Sequence, residues 1–131
     1  MIDTSALVAA LIAEHEHHRL VRPRLRPDWQ IPAIVLAETF AQLRRTFRQP
    51  AGVAASTLRP WTGSPGLVLP TTSSAIASVF RRCVELDLGA SIHDALIAQV
   101  CVDHNVPLVT LDARQHQLAL ALGARSTYVL A

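Results

Sequence analysis

Pro107-Leu108-Val109-Thr110-Leu111-Asp112 is a run of strand length that opens on a proline, stays almost wholly apolar, and closes on an acid. A strand that is apolar on both faces must be covered on both faces, as in a parallel sheet between helices. Gln115 to Leu122 then reads as a short helix, and Gly123 and the strand Thr127 to Leu130 follow. Upstream, a helix opened by Ser91 carries Asp94 in its first turn and ends at Asn105 and Pro107. Before it, Leu67-Val68-Leu69 reads as a buried strand, and Ser73 or Ser74 caps a helix running through Ile76, Val79, Phe80, Cys83 and Val84 to Gly89.

The first half alternates in the same way. Ile2 ends a very short strand, Asp3-Thr4-Ser5 caps the apolar helix that follows, and Glu14 to Leu25 continues as a polar, arginine-bearing helix until Pro23 and Pro27. Trp29-Gln30-Ile31 is a brief extended piece before Pro32, and a helix begins near Ala33. Leu36, Phe40, Leu43 and Phe47 form its core stripe, with Arg44, Arg45 and Arg48 on the wet side. Gln49 to Gly52 marks a turn, and Val53 to Leu58 is a weaker helix closed by Pro60 and the loop Gly63 to Gly66. The fold class expected is α/β: a three-layer α/β/α sandwich with a parallel, helix-covered sheet. Residues 1–131 are expected to form one domain, since 131 residues at 50% hydrophobic content can bury one substantial core.

All twelve basic residues are arginines and the net charge is +2. Arginine suits bidentate contact with phosphate, but a charge this small carries little weight. The arginines at 19, 22, 24 and 26 and at 44, 45 and 48 line an RNA path or simply a wet helix face. Cys83 and Cys101 form no CxxC pair and read as small core hydrophobes of a reducing compartment. The opening Met1-Ile2-Asp3 carries no basic leader, and no uncharged apolar stretch reaches the roughly 18 residues a membrane span needs, so a cytoplasmic location and no membrane are expected.

Four acids stand among apolar residues: Asp3, Glu38, Asp94 and Asp112. Asp3, Asp94 and Asp112 each have a plainer reading as helix caps or first-turn acids. Glu38 does not, because it shares a face with Ile34, Val35 and Ala41 and sits off the arginine side. Buried carboxylates need a counter-charge, and no lysine is present to provide one. A divalent cation meets that need, and oxygen-only ligation selects Mg²⁺, with Mn²⁺ as a substitute, over zinc. His15, His17 and His18 imitate a metal cluster, but on a helix His17 turns away from the other two.

The joint pattern resembles the PIN-domain ribonucleases, especially the VapC-type toxins of bacterial toxin-antitoxin pairs. Met1-Ile2-Asp3-Thr4-Ser5-Ala6-Leu7 is similar to the family's opening motif and Leu36-Ala37-Glu38 to its second acidic site. His93-Asp94-Ala95-Leu96-Ile97-Ala98 matches its most recognisable helix, and Leu108 to Asp112 the strand that ends in the fourth acid. The resemblance implies that Asp3, Glu38, Asp94 and Asp112 are the catalytic, metal-holding acids, with Thr4, Ser5 and Thr110 as hydroxyl partners; His93, beside Asp94, reads first as a plain helix-start histidine and only second as a proton shuttle or substrate contact. It also implies Mg²⁺-dependent hydrolysis of RNA, a cognate antitoxin as partner, and a homodimer, with the Val53 to Leu58 and Ile76 to Val84 helices as candidate surfaces.

Two other functions remain open. One is a PIN-like module that binds RNA or protein without catalysis, against which the presence of all four acids speaks. The other is a phosphatase with Asp3 as covalent nucleophile; its usual second acid two residues on is here Ser5, and its lysine is missing.

Overall fold

The computed structural model describes residues 1–88 and 91–131. Its elements in chain order are α1 (Thr4–Leu11), α2 (His18–Val21), β1 (Ile31–Pro32), α3 (Ala33–Arg45), α4 (Ala51–Thr62), β2 (Val68–Leu69), α5 (Ser73–Leu86), α6 (Ile92–Asp103), β3 (Leu108–Thr110), α7 (Ala113–Ala121) and β4 (Ser126–Tyr128). The fold is the expected α/β arrangement of parallel strands flanked by helices. β1 pairs with β2, Ile31 opposite Val68, and β3 pairs with β4, Leu108 opposite Ser126, both parallel.

The N-terminal segment joins β3 from the other side. Ile2 bridges Val109 in parallel, Val109 N–H donates to Met1 C=O at 2.9 Å, and Asp3 N–H donates to Val109 C=O at 3.1 Å. Ile2 and Leu108 are completely buried, so the core that hides them also brings the two chain segments together. Asp3 and Thr110 therefore meet at the carboxyl ends of neighbouring strands, the rim where α/β sheets place their ligands.

The helices cover the strands according to their apolar faces. α6 is buried at every position from Ala95 to Cys101, as expected of a helix enclosed by neighbours, and it packs against α5, α7 and α3. In α3, Leu36 and Leu43 are buried and Phe40 and Phe47 pack partly against the core, so the four-residue stripe is the inner face. Gly123, at φ +88°, supplies the left-handed turn that returns α7 to β4.

Several boundaries differ from expectation. The helix expected from Glu14 to Leu25 does not form: α1 ends at Leu11, Ile12 is extended, and only His18–Val21 and a 3₁₀ turn at Arg22–Arg24 are helical. Polar side chains there compete for the backbone, with His17 N–H donating to His15 Nδ1 at 3.1 Å and His18 Nδ1 bonded to Ala9 C=O at 2.8 Å. α4 starts at Ala51 inside the expected turn and runs through Pro60 to Thr62. Burial of Leu58 and Trp61 holds that last turn against the lost proline donor.

Leu67 belongs to a 3₁₀ turn before β2, not to the strand. Thr72, not Ser73 or Ser74, caps α5, its hydroxyl accepting from Ala75 N–H at 3.0 Å. α5 ends at Leu86, where Asp87 turns left-handed, so Asp87 and Leu88 do not continue the helix as expected, and the expected end at Gly89 lies outside the described residues. Ser91 occupies the cap position of α6 without a side-chain capping bond. α7 runs from Ala113 to Ala121 in place of 115–122, because Asp112 caps it two residues earlier, and the last strand spans Ser126 to Tyr128 in place of 127–130.

Candidate active site

Asp3 is the N-cap of α1 and is only 3% exposed. Its Oδ1 accepts from Ala6 N–H at 2.9 Å and from the Ser5 hydroxyl at 2.8 Å, and its Oδ2 accepts from the Thr110 hydroxyl. Three donors occupy three of a carboxylate's roughly four lone-pair sites, leaving about one for a further ligand. Burial nevertheless dominates: it pushes the Asp3 carboxyl up to about 6, opposed by the Thr110, Ala6 and Ser5 donors and assisted by the negative charge of Asp112.

Neighbouring hydroxyls tie the other elements to this carboxyl. Ser5 Oγ accepts from Leu111 N–H at 3.2 Å, and Thr110 Oγ1 accepts from Asp112 N–H at 2.9 Å. Thr4, from the same cap, donates its hydroxyl to Glu38 Oε1 at 2.9 Å, which joins α1 to the half-buried acid on α3. All three hydroxyls singled out in the sequence thus contact the acids or their backbone.

Asp94 sits half-buried in the first turn of α6. Its carboxyl is held above the ordinary range first by burial, then by the negative charges of Glu38 and Asp112, with His93 opposing. The charge of Asp112 thus reaches both Asp3 and Asp94, and that of Glu38 reaches Asp94. Asp112 departs from the expectation of an apolar setting: it is exposed, and its Oδ1 caps α7 by accepting from Arg114 N–H at 2.8 Å and Gln115 N–H at 3.3 Å.

None of the ion pairs among the described residues involves any of these acids. No three His, Cys, Asp or Glu side chains among the described residues are gathered tightly enough to enclose a metal ion. The donor chemistry is all oxygen and anionic, among the described residues no ion pair offsets it, and such a donor set fits a hydrated divalent ion.

In the histidine trio the His15 and His18 rings bond to the backbone of α1 and the turn after it, while the His17 ring lies 3.5 Å from Glu16. Cys83 and Cys101 are both free thiols. Among the described residues no helix is long and apolar enough to cross a membrane.

Gln115 went unrecognised in the sequence. It is 2% exposed and its Nε2 donates to the Asp94 backbone C=O at 3.1 Å, while its own N–H is capped by Asp112. One side chain thereby ties the start of α6 to the start of α7. The spacing Asp112-Ala113-Arg114-Gln115 matches a capping box and was the available signal for a helix start, although not for the reach to Asp94.

Comparison with known proteins bears on the fold and the family. No curated protein sequence matches the chain. Among solved structures, the chain is similar to Mycobacterium tuberculosis VapC20, described as a sarcin-ricin loop cleaving toxin, with TM-score 0.72, 22% identity, and 94% of each chain covered. It is also similar to FitAB bound to the IR36 DNA fragment, with TM-score 0.69, 16% identity, and 99% of this chain and 94% of that one covered. FitAcB from Neisseria gonorrhoeae gives TM-score 0.70 and 16% identity over 98% of this chain and 96% of that one. These likenesses establish a shared fold. The model of the PIN domain matches residues 1–120, which include all four acids, and the chain belongs to the PIN domain family.

Proposed function

We propose that this chain is a divalent-metal-dependent endoribonuclease, a single PIN-like domain over residues 1–131, that acts as the toxin of a toxin-antitoxin pair in the cytoplasm. The observation that carries the reading is electrostatic: Asp94 is held in the field of Glu38 and Asp112, Asp3 in that of Asp112, and among the described residues no arginine forms an ion pair with any of them. Gathered, unpaired carboxylates are costly unless a cation joins them. Family membership and the toxin among the structural neighbours support the same conclusion.

Asp3, Glu38, Asp94 and Asp112 would hold Mg²⁺, or Mn²⁺ in its place. The ion, when bound, lowers the pKa of water and offsets charge on the phosphoryl oxygens. The chain's own part is positioning. Ser5 and Thr110 fix the Asp3 carboxylate, Thr4 fixes Glu38, and Gln115 fixes the turn that presents Asp94. With these groups oriented in advance, little reorganisation accompanies reaction.

A phosphatase using Asp3 as nucleophile is less well supported, because that carboxyl is 3% exposed and already holds three donors. An antitoxin partner and a homodimer complete the proposal. Phe80 and Val84 on α5 and Val53 on α4 are among the exposed apolar side chains available for such contacts.

The test is cleavage of RNA by wild type beside Asp94→Asn, with the RNA ends sequenced. Wild type should cleave in Mg²⁺ and stop in excess EDTA, while the variant should lose cleavage and keep its circular dichroism spectrum. Undiminished Mg²⁺-dependent activity in Asp94→Asn removes Asp94 from the site, and cleavage that survives EDTA removes the metal.

A further inference from the structure

The acids do not occupy the whole of the rim they share. Beside them lies a cleft of about 390 Å³, within the roughly 300–1,000 Å³ typical of ligand sites. Its wall begins at Ser5, whose hydroxyl donates to Asp3, and at Leu111, next to Asp112. It continues along α3 through Gln42, one helical turn beyond Glu38, to Thr46 at the helix end. The opposite wall is the turn after α1, where His15, Glu16 and His17 line the cleft, and Phe47 adds an apolar aromatic surface.

That turn is held in place rather than loose. His15 Nδ1 accepts from His17 N–H at 3.1 Å, so in the neutral ring the proton sits on Nε2, and the two rings lie 5.7 Å apart at 48°. His18 anchors the same turn to α1 through Ala9 C=O at 2.8 Å. The cleft thus joins flat aromatic faces to an amide and a hydroxyl, each able to donate and accept. Glu16 among the lining residues repels a phosphate and suits a neutral ring.

We propose that this cleft is a nucleobase subsite: it takes one unstacked base of single-stranded RNA next to the scissile phosphate. The base stacks on the histidine and phenylalanine rings, and Gln42 and Thr46 read its edge, as single-stranded RNA is ordinarily recognised. The assignment rests on the ribonuclease reading and adds to it the part of the substrate that confers sequence preference.

The experiment uses the full chain carrying Asp94→Asn, in Mg²⁺, and a series of short single-stranded oligoribonucleotides, each with one abasic position. Fluorescence anisotropy should find one position whose missing base weakens binding roughly 5- to 160-fold, the range supplied by stacking one base on an aromatic ring. That penalty should disappear when His15→Ala or Gln42→Ala is added. Gln42 is only half-buried on α3, so its variant keeps the fold should the His15 turn rearrange.

A penalty that persists unchanged in both variants, or no penalised position at all, overturns the subsite. Cleavage of the intact oligonucleotides by wild type is measured alongside. Cleavage without a base penalty rejects the subsite and keeps the nuclease; a base penalty that depends on His15 and Gln42 without any cleavage does the reverse.

Discussion

Replacing Thr110 by valine removes one hydroxyl from the centre of the site and almost nothing else. Thr110 is completely buried in β3, where valine fits the strand and occupies nearly the same shape. Its hydroxyl donates to Asp3 Oδ2 and is first among the groups that oppose the rise of the Asp3 carboxyl to about 6. Losing a hydrogen bond to a charged group costs about 1.5–3 kcal/mol, and Asp112 N–H also loses its acceptor. At about pH 8, where Asp3 is ionised, Thr110→Val should therefore be destabilised by roughly 2–3 kcal/mol. At about pH 5 Asp3 is largely protonated in the folded protein, and the missing bond is a neutral one of about 1 kcal/mol.

The sign follows from linkage. A carboxyl whose folded pKa lies above its unfolded value of 3.8 stabilises the fold fully below that value, and the contribution is lost as pH rises through about 6. Thr110→Val raises the folded pKa further, so its stability should keep falling after that of wild type has levelled, and the two curves separate above about pH 6. Urea unfolding in EDTA at both pH values, followed by circular dichroism, measures the difference directly. A destabilisation that is the same at both, or larger in acid, refutes the assignment of Thr110 as the donor that holds the Asp3 carboxylate.

Two other outcomes follow from the same geometry. Mg²⁺ at about ten times its dissociation constant should stabilise wild type by roughly 1.4 kcal/mol near pH 8; the gain in thermal midpoint should vanish in Asp94→Asn, and a gain of equal size there places the ion elsewhere. Asp112 both caps α7 and adds its negative charge to the surroundings of Asp94, and paired substitutions separate the roles. Asp112→Asn keeps a capping oxygen and should retain stability but lose cleavage, whereas Asp112→Ala should lose cleavage and about 1 kcal/mol more, read from urea midpoints. Full cleavage by Asp112→Asn reduces Asp112 to a cap.

The fold was legible where one local pattern decided the outcome. The apolar run from Leu108 to Leu111 has nowhere to go but a covered strand, and the four-residue stripe of α3 admits one inward face. Legibility failed where two local patterns competed. Residues 13–17 follow α1 without a break in helix-forming composition, yet histidine side chains bonded to the backbone turn the chain instead. In α4 the proline pattern points to a helix closed at Pro60, yet the helix runs on to Thr62, because the burial of Trp61 beyond the proline is not visible from neighbours in sequence.

The site divides along the same line. Each acid was visible because a carboxylate among apolar residues is conspicuous on its own, whereas Gln115, Gln42 and Thr46 are ordinary polar residues until their positions in space are known. Thr110 and Asp3 are separated by 107 residues, and Gln115 and Asp94 by 21. No periodicity spans such intervals. What closes the first of them is the burial of Ile2 beside Leu108, a hydrophobic contact that has no part in the chemistry. The apolar core and the anionic rim are thus one design problem: the strand pairing that removes Ile2 from water places Asp3 against Thr110, and the free energy of that burial is what offsets the cost of confining the carboxylate. Weakening the pairing would loosen the acid before it unfolded the protein.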